Sequence, residues 1–545
     1  MLYHHRTGRR ARSCPLFRWL AWRLPTGVVL AIFLAALAAV TSRHEMWRDE
    51  LHAWLIARDS ASLAELLANV GTQGHGAAWY LVLWPLARLC WDPAVMQVLH
   101  VGVGTGVAAL LLTSAPFPPW LRLALPFGYL FFYEWGVIAR DYSLGALLLL
   151  LVARLWHRKW TIFPTCATLL GLAAHTTVQA LILVVALCPL LLARWYEGTD
   201  QERRDRLRFK PRILAGLSVL LFAISTAVWQ LVPPEESRQS REWLTDWDCD
   251  RLERVAISVV NGVLPLPPAQ PRFWNRNLIV EKLSEQPVGS DRGHSPQILL
   301  AAALLGVVSV PFWRHPSLLG TFVTGVMGLT LFSYSKLAGS TRHHGFLFLW
   351  ALLLYWLREV ESSGGLHSEG HERRSKPSAA VVVLAPLMAL HLAGTLTASF
   401  LDWNLPFSNA GPAARWLRTN TADTVINLVG FPSHRISAIV ALLPLSGMYY
   451  LDRRAIGSYE TWSWPRPSLP VVDVFRERLQ ALRGPVWLVT HRPLHWIAGG
   501  VQPRLLAAFD APSISGEAIF IYAASGRGSQ VSSTADESAA HQPDL

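Results

Sequence analysis

The feature that most constrains this chain is a series of long apolar segments with charged residues confined between them. Segments of about 20 residues recur from Leu24 to about residue 400, and that length matches a helix crossing the hydrocarbon core of a membrane. The 545 residues are 52% hydrophobic and their mean hydropathy is +0.29. We therefore predict an α-helical polytopic membrane protein, and the composition excludes soluble and nucleic-acid-binding classes.

The number and polarity of these segments predict a topology of about eleven transmembrane helices. The segments lie near 24–40, 76–91, 97–115, 120–156, 161–176, 178–194, 212–231, 297–313, 317–335, 343–358 and 379–400. Segment 120–156 is interrupted by polar residues, so we expect one crossing overall, a short outer piece and then a full helix from about residue 137. Arginine-rich loops mark the cytoplasmic side, which places the N-terminus in the cytoplasm and the C-terminus outside.

The charge and composition of the remaining regions predict the domain organisation. The regions are a basic cytoplasmic N-terminus (1–23), a transmembrane domain (24–400) with outer loops 42–75 and 232–296, an extracytoplasmic α/β domain (401–524) and a disordered tail (525–545). We interpret the first apolar segment as an uncleaved helix rather than a signal peptide, because many spans follow it. The tail is rich in small and polar residues, which is typical of disorder.

The α/β prediction for 401–524 depends on short runs with the periodicity of strands. These runs are Thr424–Gly430, Val486–Thr490 and Ala518–Ala523, and they alternate with helical patterns such as Val472–Leu482. The five cysteines of the chain form no CxxC pair, so neither a disulfide framework nor a zinc site is predicted. Only five of the 49 basic residues are lysine, a bias that favours a GC-rich bacterial genome and hence an inner membrane.

An acidic pair lies directly after the first apolar segment, within Trp47-Arg48-Asp49-Glu50. Two adjacent carboxylates at a membrane surface contribute little to packing, whereas they are well placed to remove a proton from a hydroxyl. The alternative is a solvated charge pair beside Arg48. The pair is the first candidate for a catalytic group.

Further polar residues fall at the outer ends of other predicted spans. They are His75 in the first outer loop, Arg140-Asp141-Tyr142, His175-Thr176-Thr177, Lys336, and Arg342-His343-His344. Charged residues at membrane depth are energetically costly and usually mark a substrate path. The alternatives are a structural ion pair for Arg140 and Asp141, a core hydrogen bond to a neighbouring helix for His175, and interfacial polar residues for His343 and His344.

Several of these motifs, in this order, resemble those of GT-C glycosyltransferases. The similar branch is the family 39-like one of protein O-mannosyltransferases and lipid A aminoarabinose transferases. The matching segments are Arg48-Asp49-Glu50, Gly74-His75-Gly76-Ala77-Ala78-Trp79-Tyr80, Ala139-Arg140-Asp141-Tyr142-Ser143-Leu144, Ala174-His175-Thr176-Thr177 and Ser340-Thr341-Arg342-His343. The resemblance covers about residues 25–400, and the chain departs from it at Gly76-Ala77, where the family usually has prolines.

The resemblance implies inverting transfer of a sugar from a polyprenyl-phosphate donor to an acceptor hydroxyl on the outer face. It implies that Asp49 acts as the general base and that Glu50 assists it or orients the acceptor. Arg342 and Arg140, helped by His343 and Lys336, would neutralise the donor phosphate. The substrate-binding residues would be His75, Asp141, Tyr142 and His175. No cofactor or metal is assigned, although one subgroup of the fold uses a divalent cation that Glu50 and His75 would bind.

The rival class is a transporter or flippase for a lipid or lipid-linked sugar, in which the same charges would line a pathway. The sequence contains no repeat between its halves and no matching pair of broken spans, which such transporters often have. A non-catalytic assembly factor with the same fold is a third interpretation. The sequence does not identify the sugar, and it leaves a protein, a lipid and a glycan open as the acceptor.

Overall fold

The computed structural model describes residues 25–197, 204, 207, 210–232, 234, 243–284, 295–364, 377–421, 427–460, 485–494 and 503–525. The predicted cytoplasmic N-terminus, the helical stretch Val472–Leu482 and the tail from residue 526 onwards lie outside the described residues.

Helices form most of the described chain. In chain order they are α1 (Thr26–Arg43), α2 (Arg48–Asp59), α3 (Leu63–Gly71), α4 (Ala78–Leu89), α5 (Ala94–Ser114), α6 (Pro119–Ala124), α7 (Tyr142–Leu155), α8 (Phe163–Ala174), α9 (Val178–Tyr196), α10 (Lys210–Leu231), α11 (Cys249–Val263), α12 (Leu278–Ser284), α13 (Ser295–Ser309), α14 (Pro316–Ser335), α15 (Thr341–Gly364), α16 (Ala379–Asn404), α17 (Ala410–Thr421), α18 (Ser433–Ile436) and α19 (Ala438–Leu442). A π-helix spans Leu130–Val137.

Six of the described helices are long and apolar enough to cross a membrane: α1, α5, α9, α10, α14 and α16. Two shorter apolar helices lie at Phe163–Ala174 and Pro296–Phe312. The chain is therefore a multi-pass helical membrane protein. The count of eleven spans and the sides of the two termini stay predictions.

The interrupted segment 120–156 is broken more deeply than the sequence predicts. After α6 the chain passes through a 3-10 turn and the π-helix, and it leaves helical geometry at Ile138, whose ψ angle is 110°. The next α-helix begins at Tyr142 rather than near residue 137. π-helical turns and the breaks after them often occur at functional sites, and Arg140 and Asp141 lie in this break.

The middle of helix α15 is deeply buried in the bundle. Every residue from Phe346 to Leu357 is at most 3% exposed, as expected for a helix that is apolar on all sides and surrounded by other helices. It packs against α11, α14 and α7. Because its interior is fixed on all sides, α15 holds the residues of its first turn, among them Arg342, in a defined position.

The two predicted outer loops contain helices. Residues 42–75 form α2 and α3, and residues 232–296 include α11 and α12. The apolar side of α2 shares one buried cluster with the C-terminal domain: Leu51 and Trp54 from α2 pack with Ile436, Ile439 and Tyr450. Asp49 and Glu50 therefore lie at the junction between the membrane bundle and the C-terminal domain.

The described residues of the C-terminal region form a six-stranded sheet, as expected from the strand-like runs of the predicted α/β unit. The strands are β1 (Asn427–Phe431), β2 (Met448–Tyr450), β3 (Ala455–Gly457), β4 (Pro485–Thr490), β5 (Arg504–Phe509) and β6 (Ile519–Ser525). Their order is β3-β2-β1-β4-β6-β5, in which β1 pairs parallel with β2 and β4 and the other pairs are antiparallel. Two predicted boundaries shift: α16 continues to Asn404, and Ser525, expected in the tail, ends β6.

Candidate active site

Asp49 lies in the first turn of α2, next to Glu50. Carboxylates are favourable in this turn because the unpaired backbone N–H groups of a helix N-terminus give it a partial positive charge. The two side chains point to different surroundings. The side chain of Asp49 is 24% exposed, whereas Glu50 is completely buried. Only Asp49 is therefore accessible to a substrate.

Three arginines surround the Asp49 carboxylate. Its Oδ2 atom lies 3.0 Å from Nη2 of Arg342 and 3.8 Å from Nη1 of Arg140, and its Oδ1 atom lies 3.3 Å from Nε of Arg48. Burial alone would raise the pKa of Asp49, but the charges of Arg48, Arg342 and Arg140 outweigh burial and hold this pKa well below its usual range. Asp49 is therefore ionised at neutral pH.

Arg342 lies beside two indole rings that pack edge to face, with their centroids 4.6 Å apart. Its guanidinium carbon lies 5.3 Å from the ring centroid of Trp47 and 5.4 Å from that of Trp274. Cation–π attraction to both rings holds the guanidinium at this position. Among the described residues the buried Nε and Nη1 atoms of Arg342 have no hydrogen-bond partner. The arginine thus has donors to offer to an anion.

Arg140 connects Asp49 to a second carboxylate. Its Nη1 atom donates to the backbone oxygen of Asp49 at 2.7 Å, and its Nη2 atom lies 3.2 Å from Nε2 of His75. The other ring nitrogen of His75, Nδ1, lies 3.4 Å from Oδ2 of Asp141. The side chain of Asp141 is only 2% exposed, against 26% for His75. Of these two residues, only His75 is therefore accessible.

Tyr142 and His343 join α7 to α15. The Tyr142 hydroxyl lies 3.0 Å from Nε2 of His343. The Nδ1 atom of His343 accepts from the backbone N–H of Ser340 at 3.0 Å and lies 2.9 Å from its hydroxyl. Because Nδ1 accepts from a backbone N–H, Nε2 carries the proton in a neutral ring and donates it to Tyr142. These contacts orient the first turns of both helices beside Asp49.

Glu50 occupies a different environment from that of its neighbour. The Oε1 atom accepts from the backbone N–H of Ala139 at 2.7 Å, and Oε2 accepts from that of Trp47 at 3.1 Å. The same Oε2 atom lies 3.1 Å from Nε2 of His44. With both oxygens engaged and no exposed surface, Glu50 does not face the space in front of Asp49.

His175, another predicted site residue, makes contacts outside this group. It directly follows α8, and its Nε2 atom lies 3.1 Å from the hydroxyl of Thr226 on α10. Its backbone oxygen accepts from Ala78 at 2.9 Å. A Cβ atom on Gly76 would lie 2.0 Å from that same oxygen, so this close approach requires glycine. His175 therefore forms the helix contact that was its alternative interpretation.

Lys336 directly follows α14 and lies near Trp243 of the second outer region. Its Nζ atom lies 5.6 Å from the ring centroid of Trp243. The structure thus brings Asp49, Arg140, Asp141, Tyr142, His75, Arg342 and His343 into one connected cluster, whereas the contacts described for His175 and Lys336 involve other residues.

The sequence did not identify Trp47 and Trp274, whose indole rings contact Arg342. Trp47 belongs to the motif around the acidic pair, and its position one residue before Arg48 was the available signal. Trp274 carries no comparable signal, because it lies in the second outer region among several tryptophans. Its indole nitrogen donates to buried Glu134 at 3.1 Å, which fixes the ring that contacts Arg342.

The cluster combines an accessible carboxylate with buried guanidinium groups. A carboxylate can accept a proton from a hydroxyl, and guanidinium forks stabilise phosphate oxygens. Within the part of the chain that the structure describes, no three His, Cys, Asp or Glu side chains are grouped to hold a metal ion. The arrangement thus provides a proton acceptor next to an anion-binding surface.

Comparisons with known proteins find likeness among solved structures. No protein-family model matches the chain, and no curated protein is significantly similar to it. Among solved structures, the crystal structure of ArnT from Cupriavidus metallidurans bound to undecaprenyl phosphate is similar over 93% of this chain and 97% of that chain, with 13% identity and a TM-score of 0.48. Since identity and TM-score are this low, the functional argument depends on the geometry of the cluster.

Proposed function

We propose that this protein is a membrane glycosyltransferase of the GT-C type, which moves a sugar from a polyprenyl-phosphate donor to an acceptor hydroxyl. The observation that carries the proposal is the contact between Asp49 and Arg342, together with Arg140. The Asp49 carboxylate is a proton acceptor, and two guanidinium groups that can bind phosphate, from two distant segments, lie within 4 Å of it. Sugar transfer from a lipid phosphate needs these two kinds of group side by side.

Asp49 takes the proton of the acceptor hydroxyl. The hydroxyl oxygen attacks the anomeric carbon of the sugar from the face opposite the phosphate, so the anomeric configuration inverts. A new carbon–oxygen bond forms while the bond from the anomeric carbon to the phosphate oxygen breaks. The bonding electrons leave on that oxygen, and the proton stays on Asp49 until it passes to solvent.

The arginines stabilise the charge that this step creates. The donor is a phosphodiester with one negative charge, and the departing polyprenyl phosphate carries two when fully ionised. Among the described residues Arg342 has donors without a partner at Nε and Nη1, and Arg140 faces the same Asp49 oxygen at 3.8 Å. Guanidinium groups that are already oriented stabilise a developing phosphate charge without reorganisation. Electrostatic stabilisation is then stronger in the transition state than in the bound donor, as catalysis requires.

The neighbouring side chains suit the binding of a sugar or an acceptor. His75 is accessible, and its Nδ1 atom lies 3.4 Å from the buried Asp141 carboxylate. Tyr142 and His343 contact each other at the start of α7 and α15. In the sequence they lie close to Arg140 and Arg342, which face Asp49. We assign these residues to substrate binding. Glu50 is buried, so the proposal gives it no direct contact with the acceptor.

The direct test uses purified full-length protein with polyprenyl-phosphate sugars and with membrane extracts as the source of acceptor. We expect mass spectrometry to detect a glycosylated acceptor and the release of free polyprenyl phosphate. A comparison of lipid-linked glycans in membranes with and without the protein identifies the donor. If the purified protein moves a labelled lipid between leaflets and forms no glycosidic bond with any donor, the flippase interpretation is correct instead.

A further inference from the structure

We propose that Glu50 is a positioning residue that fixes the Asp49 carboxylate relative to Arg140. His44 holds Glu50 in place, and Asp402 holds His44. This inference rests on the proposed function, since it assigns Glu50 a role through the general base. It differs from a shared catalytic role for the acidic pair, because Glu50 would act without touching a substrate.

Two hydrogen bonds join the same two segments side by side. The Ala139 N–H donates to Oε1 of Glu50 at 2.7 Å, and Nη1 of Arg140 donates to the backbone oxygen of Asp49 at 2.7 Å. Adjacent residues on α2 thus contact adjacent residues in the break before α7. One bond would allow the segments to rotate about it, whereas two bonds fix both distance and orientation.

The second oxygen of Glu50 fixes the start of α2. Oε2 accepts from the N–H of Trp47, the residue before the helix. The indole of Trp47 in turn contacts the Arg342 guanidinium. Glu50 is therefore hydrogen-bonded to the segment that carries Arg140 and to Trp47. Trp47 directly precedes the helix that carries Asp49, and its ring contacts Arg342.

His44 connects Glu50 to a further carboxylate. Its Nε2 atom lies 3.1 Å from Glu50, and its Nδ1 atom lies 2.8 Å from Oδ2 of Asp402 on α16. Both ring nitrogens face carboxylates, so the ring is an imidazolium that donates to both. The Tyr133 hydroxyl donates to the same Asp402 oxygen at 3.0 Å. The network thus ties the ends of α1 and α16 to the π-helix and to α2.

The burial of this network makes its geometry specific. The exposed fractions are 5% for His44, 0% for Glu50 and 1% for Asp402. Buried charges are stable only when they are paired and hydrogen-bonded, and a displaced partner leaves an uncompensated charge. Burial alone would lower the pKa of His44, but Asp402 and Glu50 raise it to about 10. The imidazolium therefore persists at neutral pH and holds both of its carboxylate partners, Glu50 and Asp402, by hydrogen bonds.

The test replaces Glu50 by glutamine in the full-length protein. One oxygen becomes an NH2 group, which cannot accept a hydrogen bond from a backbone N–H. We expect kcat for sugar transfer to fall on the order of 10- to 100-fold, since misplacement of a reacting group by about 1 Å has effects of this size. The KM for the donor should change little, because Arg342 and Arg140 are retained.

A double-mutant comparison separates positioning from general stability. If Glu50 acts through Asp49, Glu50→Gln should cause no further loss of kcat in an Asp49→Asn background. The matched control is Glu361→Gln, because Glu361 accepts from Arg194 and Trp156 near the opposite end of α15. We expect its kcat to equal that of the wild type. A wild-type kcat in folded Glu50→Gln, or an additive loss in the double variant, would overturn the proposal.

If Glu50→Gln does not fold, Asp402→Asn takes its place. Asparagine can still accept from His44 and Tyr133 but carries no charge, so we expect a smaller loss of kcat, again absent in the Asp49→Asn background. Hydrogen exchange provides a readout that needs no activity: the amides of Trp47 and Ala139 should exchange faster in either variant. Unchanged exchange would contradict the positioning role. Faster exchange in a protein that transfers no sugar would contradict only the proposed function.

Discussion

The carboxylate of Asp49 lies 3.0 Å from the guanidinium of Arg342, a residue 293 positions further along the chain. Without substrate the two groups neutralise each other, and the low pKa of Asp49 makes it a weak base. A donor phosphate would compete with Asp49 for the same guanidinium. We therefore expect donor binding to weaken this ion pair and to increase the basicity of Asp49 at the stage when the acceptor hydroxyl must lose its proton.

Substitution of Arg342 tests its role as a phosphate ligand. We expect Arg342→Ala to lower kcat/KM for the donor about 10²- to 10³-fold, because a developing phosphate charge loses its partner. Arg342→Lys should recover only part of this, since an ammonium cannot reproduce the two-pronged fork. Binding of the acceptor alone, measured by equilibrium titration, should change little.

The matched control for Arg342 is Arg358→Lys, near the other end of the same helix. Arg358 forms an ion pair with Glu359 and has a side-chain exposure of 19%, against 11% for Arg342. We expect its donor kinetics to be those of the wild type. Equal losses in the two lysine variants would show that the effect comes from the helix and not from the phosphate contact.

The pH dependence of the reaction should shift when Arg342 loses its charge. In Arg342→Gln two cationic neighbours of Asp49 remain in place of three, so the pKa of Asp49 rises towards its ordinary value. The base is active only when deprotonated, and activity is lost as pH falls through this pKa. The acid limb of the kcat/KM profile should therefore lie at higher pH in the variant. An acid limb at the same pH would contradict Asp49 as the titrating base.

His44 should make stability depend on pH in the alkaline range. The pKa of His44 rises from 6.5 to about 10 in the folded protein because of Asp402 and Glu50. A raised pKa in the folded state contributes stability that is complete below about pH 6.5 and is lost as pH rises towards 10. The Tm of the detergent-solubilised wild type should thus exceed that of His44→Gln at pH 7, and this difference should shrink by pH 10. A constant difference would contradict the charged imidazolium.

The sequence predicted the groups of the site better than it predicted their surroundings. Arg140 and Arg342 were placed near Asp49 because polar residues interrupted or ended apolar segments on one predicted side of the membrane, a pattern that hydropathy records. The burial of Glu50 was not predictable in this way, since its partners are the backbone N–H groups of Trp47 and Ala139. Hydrogen bonds to the backbone depend on folded geometry and leave no periodicity in the sequence.

For the fold too, the sequence predicted the elements better than the contacts that end them. The apolar segments located the long helices, and the short β-rich run at 486–490 located β4. The start of α7 was predicted about five residues too early, near residue 137 rather than at Tyr142, because the pattern of 137–141 is compatible with a helix. What ends the helix there is a set of tertiary contacts, among them the Glu50 bond to Ala139.

The predicted topology is testable by labelling single cysteines in a background without the five native ones. Ala61 and Thr419 are exposed, in the first outer loop and in α17, and Ser362 is exposed near the end of α15. We expect an impermeant thiol reagent to label Ala61→Cys and Thr419→Cys in intact cells, and Ser362→Cys only after permeabilisation. External labelling of Ser362→Cys would overturn the assignment of the site to the outer face.

The most direct measurement of the central claim is single-turnover sugar transfer by Asp49→Asn compared with Asp59→Asn. Both aspartates lie in α2 beside an arginine, and their side chains are 24% and 19% exposed. With a saturating polyprenyl-phosphate sugar, Asp49→Asn should lower the rate on the order of 10²- to 10⁴-fold, because amide replaces base at nearly equal volume. Asp59→Asn should retain the wild-type rate. Transfer at the wild-type rate by folded Asp49→Asn would contradict the account.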